Sequence, residues 1–359
     1  MTINLFGDWG PRTQRTRTIH THTLLLPHKC LYFSRWNGPV SQNAVIIYML
    51  MNQKKLRYGV IGTGAIGGYY GGKLAHHGRD VHFLFHSDYD HVVEHGLQVD
   101  SCDGSFHLDH VNAYHRAADM PACDVVLVSL KSVNNTLLPQ FLPPLRKPDT
   151  LVVLIQNGIG VEEDVQKMMP DLRLAAGLAY ICAAKTNPGR VDHQCYGRIS
   201  LGNYSCPDEE RLTSVADDFV AAGIKANVVE YREARWKKAV WNMTYNGMSV
   251  VLNAQTDQLM ENEDTERLIH RQMLEIIHAA QAMGVSNIND DYAEAMLSMT
   301  HKMEPYSPSM KLDYDFHRPM EINYLYTRPI EEARRAGVSM PMMEMLEAEL
   351  LFLDKRNQR

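Results

Sequence analysis

The stretch RYGVIGTGAIGGYYGGKLAHHGRDVHFLFH, residues 57–86, limits what this chain can fold into more than any other part of it. A short apolar strand over 58–61 runs into Gly62, Gly64 and Gly67, spaced as GxGxxG, and then into a helix and a second apolar strand over 81–85. The first glycine permits a tight turn, the second lets backbone approach a pyrophosphate, and the third lets the helix pack closely on the sheet. Phosphates then sit on the helix amino terminus, where unpaired N–H groups and the helix dipole favour anions. A lone GxGxxG is weak evidence, but in this order of strand, glycines, helix and strand it specifies a dinucleotide-binding unit. Gly62, Thr63, Gly64, Ala65, Ile66 and Gly67 are therefore expected to hold the cofactor.

The end of the second strand normally selects between NAD and NADP, through an acid for the ribose diol or a cation for the 2′-phosphate. His86, Ser87 and Asp88 stand there. Ser87 with a protonated His86 suits a phosphate and Asp88 suits a diol, so the turn alone leaves both cofactors open.

Two further apolar runs, CDVVLVSLK ending at Lys131 and TLVVLIQN ending at Asn157, read as parallel strands buried on both faces. In open α/β sheets the carboxyl edge faces the ligand crevice, which places Lys131 for cofactor phosphate or ribose and Asn157 for the nicotinamide or substrate. More strands are expected at 175–183, 198–201 and 226–229, with a helix over 207–222 between the last two. From Tyr231 the pattern is helical, with helices near 231–251, 262–283, 290–303, 320–336 and 341–354. The expected fold is thus α/β: a Rossmann-type dinucleotide-binding domain over 51–229, followed by an all-helical carboxy-terminal domain over 230–359.

Residues 1–50 differ in character, with five basic residues, one acid and no sustained periodicity. An organelle-targeting segment would be richer in serine, so an upstream over-read of the gene with a natural start at Met51 is the favoured reading. This extension is expected to be disordered or loosely attached.

Bulk properties exclude several classes. A net charge of −6 leaves no basic footprint for nucleic acid, and no run approaches the roughly 18 apolar residues of a membrane span. Six cysteines without a CxxC pair suit reduced thiols in the cytoplasm. A monomer or homodimer acting on a small molecule is expected. HVVEH at 91–95 matches an inverted zinc-peptidase pattern, but in a histidine-rich stretch just after a Rossmann strand it reads as chance, and no metal is expected.

The helix over 231–251 is mostly apolar yet carries Lys238, Asn242 and Asn246 four residues apart. Such spacing drifts only about 40° per step, so the three side chains form one polar stripe. A second polar cluster, SPSMKLDYDFHRPMEIN, runs through Ser309, Lys311, Asp313 and Arg318 to Glu321. An acid at a helix start also has a plain explanation in the helix dipole.

GTGAIG at 62–67, SLK ending at Lys131, LIQNGIG around Asn157, WKKAVWNMTYN, and PSMKLD with HRPMEI together resemble the ketopantoate reductases (2-dehydropantoate 2-reductases). The likeness runs from about Leu56 to the last helix. It implies NADPH-dependent reduction of 2-dehydropantoate to (R)-pantoate, with Lys238, rather than Lys237, as general acid. By the same resemblance Asn242, Asn246 and Ser309 bind the 2-keto acid, Glu321 binds its hydroxyl, and Asn157 and Lys131 contact cofactor. Two positions depart from the family pattern: His86 replaces a phosphate-binding arginine, and His317 replaces the glycine of GRxTEI. A reductase of another 2-keto acid or of an opine-type imine, and a non-catalytic NADP(H)-binding sensor, are the alternatives.

Overall fold

The computed structural model describes residues 55–358, so the extension expected over 1–50 lies outside them. Ten strands form one sheet: β1 (Arg57–Ile61), β2 (Asp80–Leu84), β3 (Leu97–Ser101), β4 (Phe106–Leu108), β5 (Asn112–Tyr114), β6 (Cys123–Val128), β7 (Arg146–Leu154), β8 (Arg173–Asn187), β9 (Arg190–Asn203) and β10 (Ala226–Val229). Their order is β4-β3-β9-β8-β7-β6-β1-β2-β5, with β10 pairing β9. From β8 to β5 every pairing is parallel. Five helices accompany the strands: α1 (Ala65–His76), α2 (Tyr89–His95), α3 (Leu138–Leu145), α4 (Val161–Met168) and α5 (Glu209–Ala221). The central strands β1 and β6 are almost wholly buried, which is why they read as continuous apolar runs.

The far side of the sheet differs from expectation. The strands expected at 175–183 and 198–201 belong to one long antiparallel hairpin, β8–β9, closed by Pro188 and by Gly189 at φ +63°. The outer half of this hairpin carries Lys185, Thr186, Asp192 and Gln194, so its apolar pattern fades while backbone pairing continues. Short polar strands β3, β4 and β5 were likewise hidden, because few of their residues enter the core.

The second lobe consists of α6 (Tyr231–Val251), α7 (Thr256–Met260), α8 (Glu263–Ala282), α9 (Asp291–Thr300), α10 (Ser309–Asp315), α11 (Arg328–Arg335) and α12 (Pro341–Asn357). Glu230 starts α6 by accepting the amides of Arg232 and Glu233, and Asn262 starts α8 by accepting those of Asp264 and Thr265. The core packs around α6, with Trp236, Val240 and Met243 against Ile276 of α8 and Leu346 of α12. The single helix expected over 320–336 is divided: a π-helical turn over Asn323–Thr327 precedes α11. Pro329 has no N–H to offer the Leu325 carbonyl, and the widened turn accommodates that loss. Among the described residues no helix is long and apolar enough to cross a membrane.

Candidate active site

At the β1–α1 turn each glycine of the motif meets a separate demand. Gly62 has φ +91°, and a Cβ there would lie 2.5 Å from the Leu130 amide nitrogen. One on Gly67 would lie 2.4 Å from the Ser129 hydroxyl oxygen. A Cβ on Gly64 would meet no protein atom within 4 Å, so this glycine borders open space at the start of α1. Thr63 turns inward and donates to the Leu84 carbonyl at 3.0 Å, and Ala65 and Ile66 begin the helix. No acid occupies the first turn of α1. The turn therefore fits a dinucleotide pyrophosphate, with N–H groups available and no negative charge to repel it.

Beyond β2, His86 and Ser87 are exposed and Asp88 is buried. Asp88 accepts from Lys185 Nζ at 2.6 Å, from the Gly189 amide at 3.0 Å and from the Ser87 hydroxyl at 2.9 Å. Burial alone would raise its pKa, but these three donors hold it below the usual carboxylate value. Its charge thus ties β2 to the β8–β9 turn. The zinc-like HVVEH places His91 and His95 on the exposed face of α2 with stacked rings 4.6 Å apart, and among the described residues they join no three-ligand group.

The residues after β6 meet the helical lobe. Lys131 pairs with Asp313 at the end of α10, and Arg318 Nε donates to the same carboxylate at 3.0 Å. Glu321 Oε1 accepts both the amide and the hydroxyl of Ser132 at 2.7 Å, while its Oε2 lies 3.9 Å from Lys131 Nζ. Lys131 and Glu321 therefore share one charged network across the cleft. Asn157 is half-buried three residues beyond β7, where Gly158 at φ +102° lets the backbone pass Tyr324.

On α6 the polar stripe separates into different environments. Lys238 is half-buried as a residue, yet its ammonium is enclosed: it donates to the Ala179 carbonyl and lies 5.1 Å from the centre of the Tyr180 ring. Burial pushes its pKa down to about 7, the positive charges of Arg235 and Arg198 push the same way, and Glu321 opposes them. Lys237 points elsewhere, pairing with Glu233 at 2.5 Å. Asn246 is committed to structure: its Oδ1 accepts the Met310 amide at 2.9 Å, with the Ser309 hydroxyl at 3.5 Å, and its Nδ2 donates to the Asn242 carbonyl at 2.8 Å. The Asn242 amide group, 9% exposed, makes no side-chain hydrogen bond among the described residues.

Five residues that sequence reasoning passed over shape this site. Arg235, one turn before Lys238, forms a buried ion pair with Glu162 of α4 and donates to the Gln156 carbonyl; Tyr231 completes the pair by donating to Glu162 at 2.8 Å. Tyr180 and Arg198, paired across β8 and β9, stack at 4.0 Å beside the Lys238 ammonium. Arg235 could have been found from its i, i+3 relation to Lys238, whereas Tyr180 and Arg198 carry no local signal.

The ketopantoate reductase PanE/ApbA model matches residues 58–205, and the PanE/ApbA C-terminal model matches 230–352. The chain belongs to the ketopantoate reductase family. A 2-dehydropantoate 2-reductase of Nostoc sp. is 45% identical over 314 residues, covering 86% of this chain and 98% of that protein. Among solved structures, the 2-dehydropantoate 2-reductase of Geobacter metallireducens superposes with a TM-score of 0.80 at 35% identity, covering 83% of this chain and 99% of the other. A D-mandelate dehydrogenase solved with NADH and anilino(oxo)acetate shares the fold, with a TM-score of 0.77 at 21% identity over 84% of this chain and all of that one. The ketopantoate reductase family is one of nicotinamide dinucleotide-dependent reductases, in keeping with the open glycine turn of α1.

Proposed function

We propose that this chain reduces 2-dehydropantoate to pantoate with NADPH, and that Lys238 is the proton donor. The observation carrying the chemistry is the enclosed Lys238 ammonium, with the uncommitted amide of Asn242 one helical turn further along the same stripe. Bound NADPH supplies a hydride to the C2 ketone. Lys238 delivers a proton to the carbonyl oxygen as negative charge develops there, so the product leaves as an alcohol and the lysine as a neutral amine. Its pKa of about 7 leaves a useful protonated fraction at neutral pH. Asn242 binds the keto acid, and Ser309 and Asn246 border it from the far end of the stripe. Glu321 Oε2, not taken by Ser132, is available to the substrate hydroxyl. Gly62, Thr63, Gly64, Ala65, Ile66 and Gly67 receive the pyrophosphate, and Lys131 and Asn157 approach the cofactor from the carboxyl edge of the sheet.

NADPH is preferred in this reading because Asp88, the one acid near enough in sequence to hold a ribose diol, is engaged by Lys185, Gly189 and Ser87, while His86 is exposed and would be free to meet a 2′-phosphate. The five cysteines of the described residues are free thiols, in keeping with a cytoplasmic enzyme, monomer or homodimer.

The direct experiment measures keto-acid-dependent oxidation of NADPH and NADH by the purified full chain. Fast turnover of 2-dehydropantoate with NADPH supports the reading. Equal turnover of the same branched keto acid lacking the hydroxyl would move the substrate assignment, and tight NADPH binding without turnover of either would replace the enzyme with a sensor. Since Lys238 acts in its protonated form, kcat/KM for reduction should hold below pH 7 and fall about tenfold per unit above it. A profile flat to pH 9 would remove Lys238 from the proton transfer.

A further inference from the structure

Outside the cleft, the turn after β3 and the strand β9 bring together Cys102, Asp103 and His193, with one ligand atom from each within 4.8 Å of the other two. Parallel pairing sets Ser101 against His193, and the Cys102 amide donates to the His193 carbonyl at 3.0 Å, so backbone fixes this approach. The ring of His193 is 1% exposed and packs on Tyr69 with centroids 4.4 Å apart.

The hydrogen bonds of the ring assign its two nitrogens. Nε2 lies 3.2 Å from the Cys195 carbonyl, an acceptor, and so carries the proton. Nδ1 then presents its lone pair to the Ser101 hydroxyl at 2.8 Å and the Cys102 sulfur at 3.8 Å. A metal-bound histidine is held in the same way, its remote N–H donating to a carbonyl that fixes the tautomer and the ring plane. A tetrahedral zinc with bonds of about 2.0 Å to nitrogen and 2.3 Å to sulfur spans an N to S edge of about 3.5 Å. The observed separation needs only a small side-chain adjustment to reach that edge.

We infer that Cys102, Asp103 and His193 form a binding site for a zinc-type divalent cation that pins the β3–β4 turn to β9. Binding breaks the hydrogen bond from the Ser101 hydroxyl to Nδ1 and forms one bond from the metal to each of sulfur, carboxylate oxygen and Nδ1, and the thiol proton leaves to solvent. Thiolate and carboxylate together neutralise the dication, which tolerates Lys73, whose ammonium lies 6.0 Å from the Tyr69 ring centre. The inference is independent of the reductase reading, because none of the three residues borders Lys238.

Cobalt(II) reports this chemistry directly, since thiolate ligation produces a charge-transfer band in the near ultraviolet and tetrahedral geometry produces intense visible bands. The full, metal-free chain is titrated with cobalt(II) beside C102S and D103N. Both substitutions lie in an exposed turn, and unchanged melting temperatures without metal verify their folding. The native chain should show one more cobalt equivalent with a thiolate band than C102S, D103N should bind that equivalent at least tenfold more weakly, and zinc should displace it. Subtracting the C102S titration removes cobalt taken by the histidines and cysteine of residues 1–50. An identical band in C102S, or no thiolate band in the native chain, overturns the site. Zinc should also raise the melting temperature of the native chain more than that of C102S, and an equal rise in both overturns the pinning role.

Discussion

The glycine turn of α1 and the surroundings of Lys238 are built on opposite plans. Six consecutive residues make the turn, and what the glycines supply is backbone shape: a positive φ and a close pass of Leu130 at Gly62, open space at Gly64, and a close pass of Ser129 at Gly67. Lys238 gains its properties from Ala179 and Tyr180 on β8, Arg198 on β9, Arg235 on its own helix and Glu321 ahead of α11. A site made of backbone survives changes in its neighbours. A site made of charges gathered from separate segments depends on each of them, and its chemistry can be removed while the first site remains.

The strongest test of this division is Lys238→Ala, which should lower turnover by about 10² to 10⁴ while NADPH affinity, read by fluorescence titration, stays within about twofold. A parallel loss of cofactor affinity would break the contrast. Next comes Arg235→Met, which leaves the buried Glu162 carboxylate with the Tyr231 hydroxyl but no cation; urea unfolding should show a loss of about 3–5 kcal/mol. If stability is unchanged, that pair does not anchor the helix that carries Lys238.

The two asparagines of the stripe sharpen the comparison at smaller scale. Asn246→Ala strips the Met310 amide of its acceptor and should cost about 1–3 kcal/mol of stability. Asn242→Ala should leave the melting temperature nearly unchanged and raise KM for the keto acid about tenfold, the usual loss for one hydrogen bond to a charged group. Interchanged effects would reverse their assigned roles. Smallest is His317→Gly: His317 holds φ +53°, a left-handed conformation that favours glycine, so the change should stabilise by about 1 kcal/mol. No gain would mean that the bond from its ring to the Asn357 carbonyl compensates the strain.

The same division explains what could be read from sequence. The glycine turn, the buried runs of β6 and β7, and the span of α6 declared themselves through local spacing and unbroken apolar pattern. The departure at His317 from the family glycine was legible too, but that its backbone is left-handed was not. The outer hairpin did not, because pairing there continues through backbone bonds where the side chains have turned polar. Asp88 illustrates the limit most clearly. Four positions beyond the end of β2 it has the chemistry of a ribose ligand, and what commits it elsewhere is Lys185, almost a hundred residues later. Asn246 is a similar case, since a stripe predicts a shared face but not which member is taken by the chain itself.

Helix α6 also acts as a ruler. Four residues of α-helix advance about 6 Å, so Asn242 stands about 6 Å along the axis from Lys238 and Asn246 about 12 Å. On the proposed reading, a six-carbon acid with its carbonyl at the Lys238 ammonium would span the first interval and not the second. The far graduation is met by Ser309 and the amide of Met310, which Asn246 holds in place. For a keto acid lying along the helix as proposed, reaching as far as Asn246 would bring it against Ser309 and the Met310 amide of α10.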